Sequence, residues 1–364
     1  MIMKIGIVGL PNVGKSTLFN AVTKSRGAKA ENFPFCTIDP NVGIVEVPDA
    51  RMQKICQVAK PQNTIPAVVE FVDIAGLVKG ASEGEGLGNQ FLSHIRECQA
   101  IAQVIRCFED KNITHVHDDM DPKRDIEVIE TELILADLQT LQKRIAKAAS
   151  DSKSGDKEKK AYHDLLTKIE TEMQSGKKMI DVDISTEERE QLKDLHLLTA
   201  KPIMYIANVH ENEIGSIDIP ATKEKLGLNR EQIIIPISAK IEEELGAISD
   251  EEAQIFLEDL GLKETGLNAL IKAAYETLGL ITYFTAGPKE VHAWTIKKGD
   301  SAPKAAGVIH TDFEKGFIRA DVINWEDYVN NNGETACKDK GLVRMEGKDY
   351  IVKDGDIMHF FFNS

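Results

Sequence analysis

The chain of 364 residues is long enough for two or three domains with separate cores, and its 42% hydrophobic and 28% charged residues are globular values that exclude a disordered chain. A net charge of −15 excludes general coating of nucleic acid, because affinity for phosphate backbones scales with basic contacts, although a local basic face is still allowed. The five cysteines are odd in number and form no C-x-x-C pair, which argues against a disulfide framework or a zinc site. No apolar run approaches membrane-spanning length, so no membrane partner is expected.

Met1-Ile2-Met3 runs straight into the first strand without signal-peptide architecture, and a cytoplasmic location is expected. Residues 3–8 read as a buried strand, Gly9-Leu10-Pro11-Asn12-Val13-Gly14-Lys15-Ser16 fits the phosphate-loop pattern G-x-x-x-x-G-K-[ST], and residues 17–22 continue as a helix with an apolar face. The glycines let the backbone curl so that successive N–H groups point inward at the β- and γ-phosphates, reinforced by the positive end of the helix dipole. Lys15 would bridge phosphate oxygens and the Ser16 hydroxyl would ligate Mg2+. An ordinary glycine-rich turn is the competing reading. A dinucleotide fingerprint is the weaker one, since Gly6, Gly9 and Gly14 do not make G-x-G-x-x-G.

Next comes a proline-punctuated loop, Glu31 to Pro40, before a strand at 42–47. In a nucleotide switch a threonine there reaches the metal and γ-phosphate. Thr37 is the candidate, with a plain loop threonine as the alternative. A strand over 67–72 delivers Asp73-Ile74-Ala75-Gly76, where a carboxylate suits a metal-bound water and the Gly76 N–H suits the γ-phosphate. The glycine-rich run 80–88 reads as a loop that rearranges with the nucleotide, or as a surface linker.

Strands return at 102–107 and 202–207, and between them lies a helical insertion. Ile134, Leu138, Leu141, Ile145 and Ala148 step by four and three, as do Tyr162, Leu166, Ile169 and Met173, which is the seam of a coiled-coil hairpin with its tip at 150–156. Lys143, Arg144, Lys147, Lys153, Lys157, Lys159 and Lys160 gather near that tip, against Asp151, Asp156 and Glu158, as a patch for ribosomal RNA or as a solvated helix face. Asn208-Val209-His210-Glu211 ends one strand and Ser238-Ala239-Lys240 follows another at 233–237; a switch NTPase reads its base at such strand ends. Helices are expected about 251–260 and 265–278. From 282 the texture changes to strands at 283–285, 291–295, 317–319, 350–352 and 357–362 around a helix at 303–309, a small α+β module with no catalytic constellation.

The phosphate loop, Thr37, Asp73-to-Gly76 and Asn208-to-Glu211, in that order, together with Asn32-Phe33-Pro34-Phe35-Cys36-Thr37 and Phe313-Glu314-Lys315-Gly316-Phe317-Ile318-Arg319-Ala320, resemble the YchF or Obg-like ATPase family, in the Obg branch of translation-factor GTPases. The resemblance covers essentially the whole length. It implies an α/β P-loop NTPase core at 1–118 and 200–278, an inserted helical hairpin at 119–199, and a C-terminal ubiquitin-like TGS domain at 279–364. It further implies a Mg2+-dependent nucleotide hydrolase associated with the ribosome, on its large subunit, and with RNA through the hairpin tip and TGS domain, acting as a monomer. Carried over residue by residue, Asn12, Val13, Gly14, Lys15, Ser16 and Thr17 embrace the phosphates, Ser16 and Thr37 hold the metal with Asp73 acting through water, and Asn208 with Val209 lies against the base, with Glu211 and Ser238 beside it. Lys15, Thr37 and Gly76 are the expected catalytic groups.

Two departures from ordinary GTPases carry mechanism. Leu77 follows Gly76 where many GTPases place a glutamine, so another group must position the attacking water; His94 and His115 are candidates, with His115 preferred. The motif N-K-x-D has become Asn208-Val209-His210-Glu211, and the longer Glu211 is poorly placed for guanine's adjacent donors, so ATP is expected as substrate with GTP as the alternative. Asn12 resembles the asparagine of potassium-dependent GTPases, which implies a K+ beside the phosphates, against the simpler reading of a turn-forming asparagine. A ribosome- or RNA-binding adaptor with nucleotide as a structural ligand is the reading from another class; the intact Lys15, Ser16, Thr37 and Asp73 argue for hydrolysis.

Overall fold

A computed structural model describes residues 3–24, 41–74, 87–108, 121–153 and 155–363, which fall into two compact units. One holds Lys4–Gly43 and Phe71–Leu267; the other holds Ile44–Glu70 and Asn268–Ser364, with Met1–Met3. In chain order β1 (Met3–Val8) leads into α1 (Lys15–Lys24), followed by β2 (Val42–Glu46), α2 (Ala50–Ala59), β3 (Asn63–Ile65), β4 (Val68–Asp73), α3 (Leu87–Glu97) and β5 (Ala100–Arg106). The helices α4 (Pro122–Ser152), α5 (Lys157–Gln174) and α6 (Thr186–Gln191) intervene before β6 (Ile203–Asn208), α7 (Ile219–Leu226), β7 (Ile233–Ile237), α8 (Ala239–Leu245), α9 (Asp250–Asp259) and α10 (Gly266–Thr277).

The first sheet has the order β2-β4-β1-β5-β6-β7, and β1, β5, β6 and β7 run parallel. Parallel strands covered on both faces read as continuous apolar runs rather than alternating ones, and every residue of β5 is buried. Because β1, β5, β6 and β7 are parallel, their carboxyl ends lie at one edge of the sheet. The Ile74 N–H donates to the Ile7 carbonyl at 3.2 Å, which sets Asp73 beside the end of β1.

The helical insertion forms as its periodicity predicts. Asp121 caps α4 by accepting from the Arg124 N–H, with Pro122 at the first turn where its missing N–H costs nothing, and Asp156 caps α5 by accepting from the Glu158 N–H. The expected seam residues of both helices pack in one apolar cluster, joined by Leu165, Met179, Leu192 and Leu195. At the base of the hairpin the Asp137 carboxylate, 1% exposed, accepts from the Leu198 and Thr199 N–H groups at 2.7 and 2.8 Å and from the Thr199 hydroxyl at 2.7 Å. That latch fixes the chain as it leaves the insertion for β6.

The second unit contains β8 (Leu280–Ala286), β9 (Glu290–Lys297), α11 (Ala302–Ile309), α12 (Thr311–Lys315), β10 (Phe317–Asn324), α13 (Trp325–Asn330), α14 (Glu334–Asp339), β11 (Arg344–Glu346) and β12 (Asp356–Phe362), in a sheet ordered β11-β10-β12-β8-β9-β3. Successive strand residues point to opposite faces, and two cores result. Phe284 and Ile357 pack with Met52, Ile55 and Tyr328, whereas their neighbours Tyr283 and Met358 pack with Ala302, Ala305 and Ala306. Residues 44–70, which the sequence reading placed with the nucleotide-binding core, share the contacts of this unit, because β3 pairs parallel with β9. The strand expected at 350–352 is instead a single antiparallel bridge between Ile351 and Ser301, closed by the Val352 N–H on the Asp300 carbonyl and the Ala302 N–H on the Tyr350 carbonyl, before the chain turns at 354–355 into β12.

Candidate functional site

The loop between β1 and α1 takes its shape from two residues with positive φ, Asn12 at 63° and Gly14 at 93°. Asparagine tolerates the left-handed region better than most residues, so backbone geometry alone is a sufficient reason for Asn12. At Gly14 a side chain would force a rearrangement, because a Cβ there would lie 2.1 Å from Asn208 Nδ2. Leu10 and Val13 are buried beneath the loop, and Ser16 is exposed on the first turn of α1.

Asn208, at the end of β6, is 4% exposed and fastened on every side. Its Nδ2 donates to the Val13 carbonyl at 2.9 Å, its Oδ1 accepts from the Ala239 N–H at 3.1 Å, and its backbone carbonyl accepts from the Cys107 N–H at 2.8 Å. One carboxamide thus ties the phosphate loop to the segment that opens α8, leaving one amide hydrogen and one oxygen lone pair for a base. Val209 is 7% exposed and its side chain joins the apolar cluster with Ile241 and Leu245, while its N–H donates to the Ile237 carbonyl at 2.9 Å. Only its carbonyl is left to face a ligand. Ser238 is buried at the N-cap of α8, and the half-buried Glu211 carboxylate is paired with Lys240 at 2.7 Å.

Lys15 forms an ion pair with Asp73, their side chains 12% and 22% exposed. The metal's expected donors, the Asp73 carboxylate and the Ser16 hydroxyl, are hard oxygens of the kind Mg2+ takes, and the pairing places Asp73 within reach of the residue next to Ser16. These two oxygens match the ion in kind, and Thr37 is the third expected donor. Thr37, Gly76, Leu77 and His115 lie outside the described residues; His94 is exposed on the last turn of α3. At the hairpin tip Lys157, Lys159 and Lys160 are exposed, whereas Arg144 is held by Asp194 at 2.6 Å and by the Tyr162 hydroxyl.

The sequence reading missed two groups. Lys240 has no role in the sequence reading, since nothing local predicts its pairing with Glu211. Glu242 is 7% exposed on α8, and its carboxylate accepts from the Gly266 N–H at 2.7 Å and the Leu267 N–H at 3.4 Å, at the start of α10. Burial pushes its pKa up to about 7 against those two hydrogen bonds.

Residues 4–151 match the family described as "50S ribosome-binding GTPase", and residues 280–363 match the YchF-type C-terminal domain, described as a protein of unknown function. The "Ribosome-binding ATPase YchF" of Bacillus subtilis (strain 168) is 52% identical over 367 residues, covering 100% of both chains. That of Escherichia coli O157:H7 is 52% identical over 360 residues, covering 99% of each. Among solved structures the Schizosaccharomyces pombe YchF GTPase superposes with a TM-score of 0.88 at 39% identity, covering 99% of this chain and 97% of that one. A GTP-binding protein from Pyrococcus horikoshii OT3, 23% identical with a TM-score of 0.61, shares the fold. The loop after β1, tied by one asparagine to the segment that opens α8, lies in a chain alike from end to end to these relatives, and the chain belongs to the YchF family.

Proposed function

We propose that this chain is a ribosome-associated, Mg2+-dependent ATPase that uses its nucleotide state to switch ribosome affinity in translation or stress response. The relatives named ribosome-binding ATPase, half identical over the full length, support both the reaction and the partner. The observation that carries the reading is the phosphate loop held open by positive φ at Asn12 and Gly14, with Lys15 and Asp73 meeting beside it. Lys15 exchanges the Asp73 carboxylate for phosphate oxygens, so charge stays compensated throughout binding. Ser16, Thr37 and Asp73 would hold the metal, which supplies neutralisation of the charge developing on the phosphates. Leu77 offers the attacking water no hydrogen bond, which makes unassisted turnover slow and assigns its positioning to another group, for which His115 is the candidate. Asn12 would seat a K+ that offsets phosphate charge, and the protein acts as a monomer.

ATP is the preferred substrate, because adenine's N7 and 6-amino group match the lone pair and amide hydrogen that Asn208 retains. Phosphate release gives kcat/KM for ATP and GTP with and without ribosomes, in potassium and in sodium salts. The expected outcome is at least tenfold preference for ATP, with turnover raised by ribosomes. A clear preference for GTP would overturn the substrate assignment.

A further inference from the structure

The base site contains a charge that its motif does not predict. Glu211, past the end of β6, and Lys240, on the first turn of α8 past the end of β7, come from neighbouring strands and meet through Lys240 Nζ and Glu211 Oε1 at 2.7 Å. Glu211 is the residue that would accept from guanine, whose N1–H and 2-amino group are adjacent donors, so a carboxylate with both oxygens free is what a guanine reader needs. Here an ammonium group occupies one oxygen and neutralises the charge. An ammonium carries donors only, and those left over after pairing with Glu211 suit adenine, whose N1 accepts, and oppose guanine, whose N1 donates.

We propose that Lys240 is a specificity-determining residue of the base site, enforcing adenine over guanine by holding the Glu211 carboxylate and presenting donors to the base edge. The inference rests on the ATP reading above and names the residue responsible for it. Misplacement of a longer carboxylate makes guanine recognition weaker; capture of that carboxylate by Lys240 makes it unfavourable, since guanine then faces a donor with its own donor unpaired. The pair is surface-accessible, with side chains 64% and 30% exposed for Lys240 and Glu211. Its worth to folding is therefore small, and its removal leaves the fold intact.

The test measures affinities for Mg2+-bound ADP, GDP and IDP by calorimetry in the parent, Lys240→Arg, Lys240→Ala, and Lys240→Ala with Glu211→Ala. The parent is expected to prefer ADP, Lys240→Arg to keep that ratio, and Lys240→Ala to narrow it by about tenfold through a gain for GDP. IDP, which keeps N1–H but lacks the 2-amino group, should gain less than GDP. The double variant should lose most of the gain, because the freed acceptor is gone and only the removal of the opposing donor remains. An unchanged ratio in Lys240→Ala, in a parent that prefers ADP, overturns the role of Lys240 and leaves the ATPase reading standing, as does a GDP gain that survives undiminished in the double variant. A parent that prefers GDP overturns the ATP reading itself.

Discussion

At the scale of single residues, two positions decide whether the phosphate loop exists. Gly14 has both the left-handed φ of 93° and the close approach to Asn208, so Gly14→Ala pairs backbone strain of about 1–2 kcal/mol with a side chain that must displace Nδ2. Displacing Nδ2 breaks its bond to the Val13 carbonyl and frees the loop from the base segment. Asn208→Asp attacks the same bond from the other side, replacing a donor with an acceptor that faces the Val13 carbonyl while keeping the shape. Both variants are expected to lose nucleotide affinity by at least tenfold in a fluorescence titration, and Asn208→Ala to fall between them and the parent. Parental affinity in Gly14→Ala and Asn208→Asp together would show that this junction does not set the loop. The buried side chain of Val209 bears on a related design: Val209→Lys, the obvious step toward N-K-x-D, would push an ammonium into an apolar cluster, so exchanges at Glu211 and Lys240 are the cleaner probes of base choice.

At the scale of elements, α8 is tied to the start of α10 through one buried carboxylate, that of Glu242. The Glu242 pKa is pushed up to about 7 from 4.5 by burial, so the folded protein binds a proton that the unfolded chain releases between those values. Stability must then fall as pH rises, since the native state holds more protons. The contribution is fully present below about 4.5 and is lost through about 7, on the order of 3 kcal/mol in all. Urea midpoints measured from pH 5 to pH 8 should decline more steeply in the parent than in Glu242→Gln; parallel profiles would remove Glu242 as the cause. What the sequence made legible at this scale was local. The strand, glycine turn and helix around Lys15 follow from contiguous residues, and the hairpin follows from a 3.6-residue period that both α4 and α5 keep. The pairing of Asn63–Ile65 with β9 joins segments more than two hundred residues apart, and three residues carry no period to announce it. Separation in sequence also hid the double tether of Asn208, 195 residues from Val13 and 31 from Ala239, whose type is compatible with base reading and scaffolding alike, and the Lys240–Glu211 pair, 29 residues apart. At 350–352, by contrast, Tyr350-Ile351-Val352 has strand-forming residues, but its backbone pairs through one bridge alone, at Ile351 and Ser301, which composition does not foretell.

At the scale of the whole molecule, the net charge of −15 sets a condition on any ribosomal partner, because two polyanions repel until a local surface of opposite sign comes between them. We propose that the hairpin meets that condition by length. Its helix α4 has 31 residues and so extends about 45 Å, several times the screening length of about 8–10 Å in physiological salt. Lys157, Lys159 and Lys160, exposed where α5 begins, are therefore felt by a phosphate backbone largely apart from the charge at the other end of the helix. If these lysines contact phosphates, each contact releases counterions, and the slope of log affinity against log salt grows with their number by about 0.7 per contact for single strands. Reversing all three to glutamate is expected to weaken co-sedimentation with ribosomes and to flatten that slope by about 2, with a thermal midpoint close to the parent's, since exposed substitutions of this kind move stability by only about 0.5 kcal/mol. Nucleotide state supplies the second axis of the experiment. A switch requires that the ATP-bound and ADP-bound forms differ in ribosome affinity, while the slope belonging to the tip stays the same in both. Unchanged binding in the triple variant would move the interface off the hairpin, with Lys289, Lys297 and Lys298 the next group to reverse.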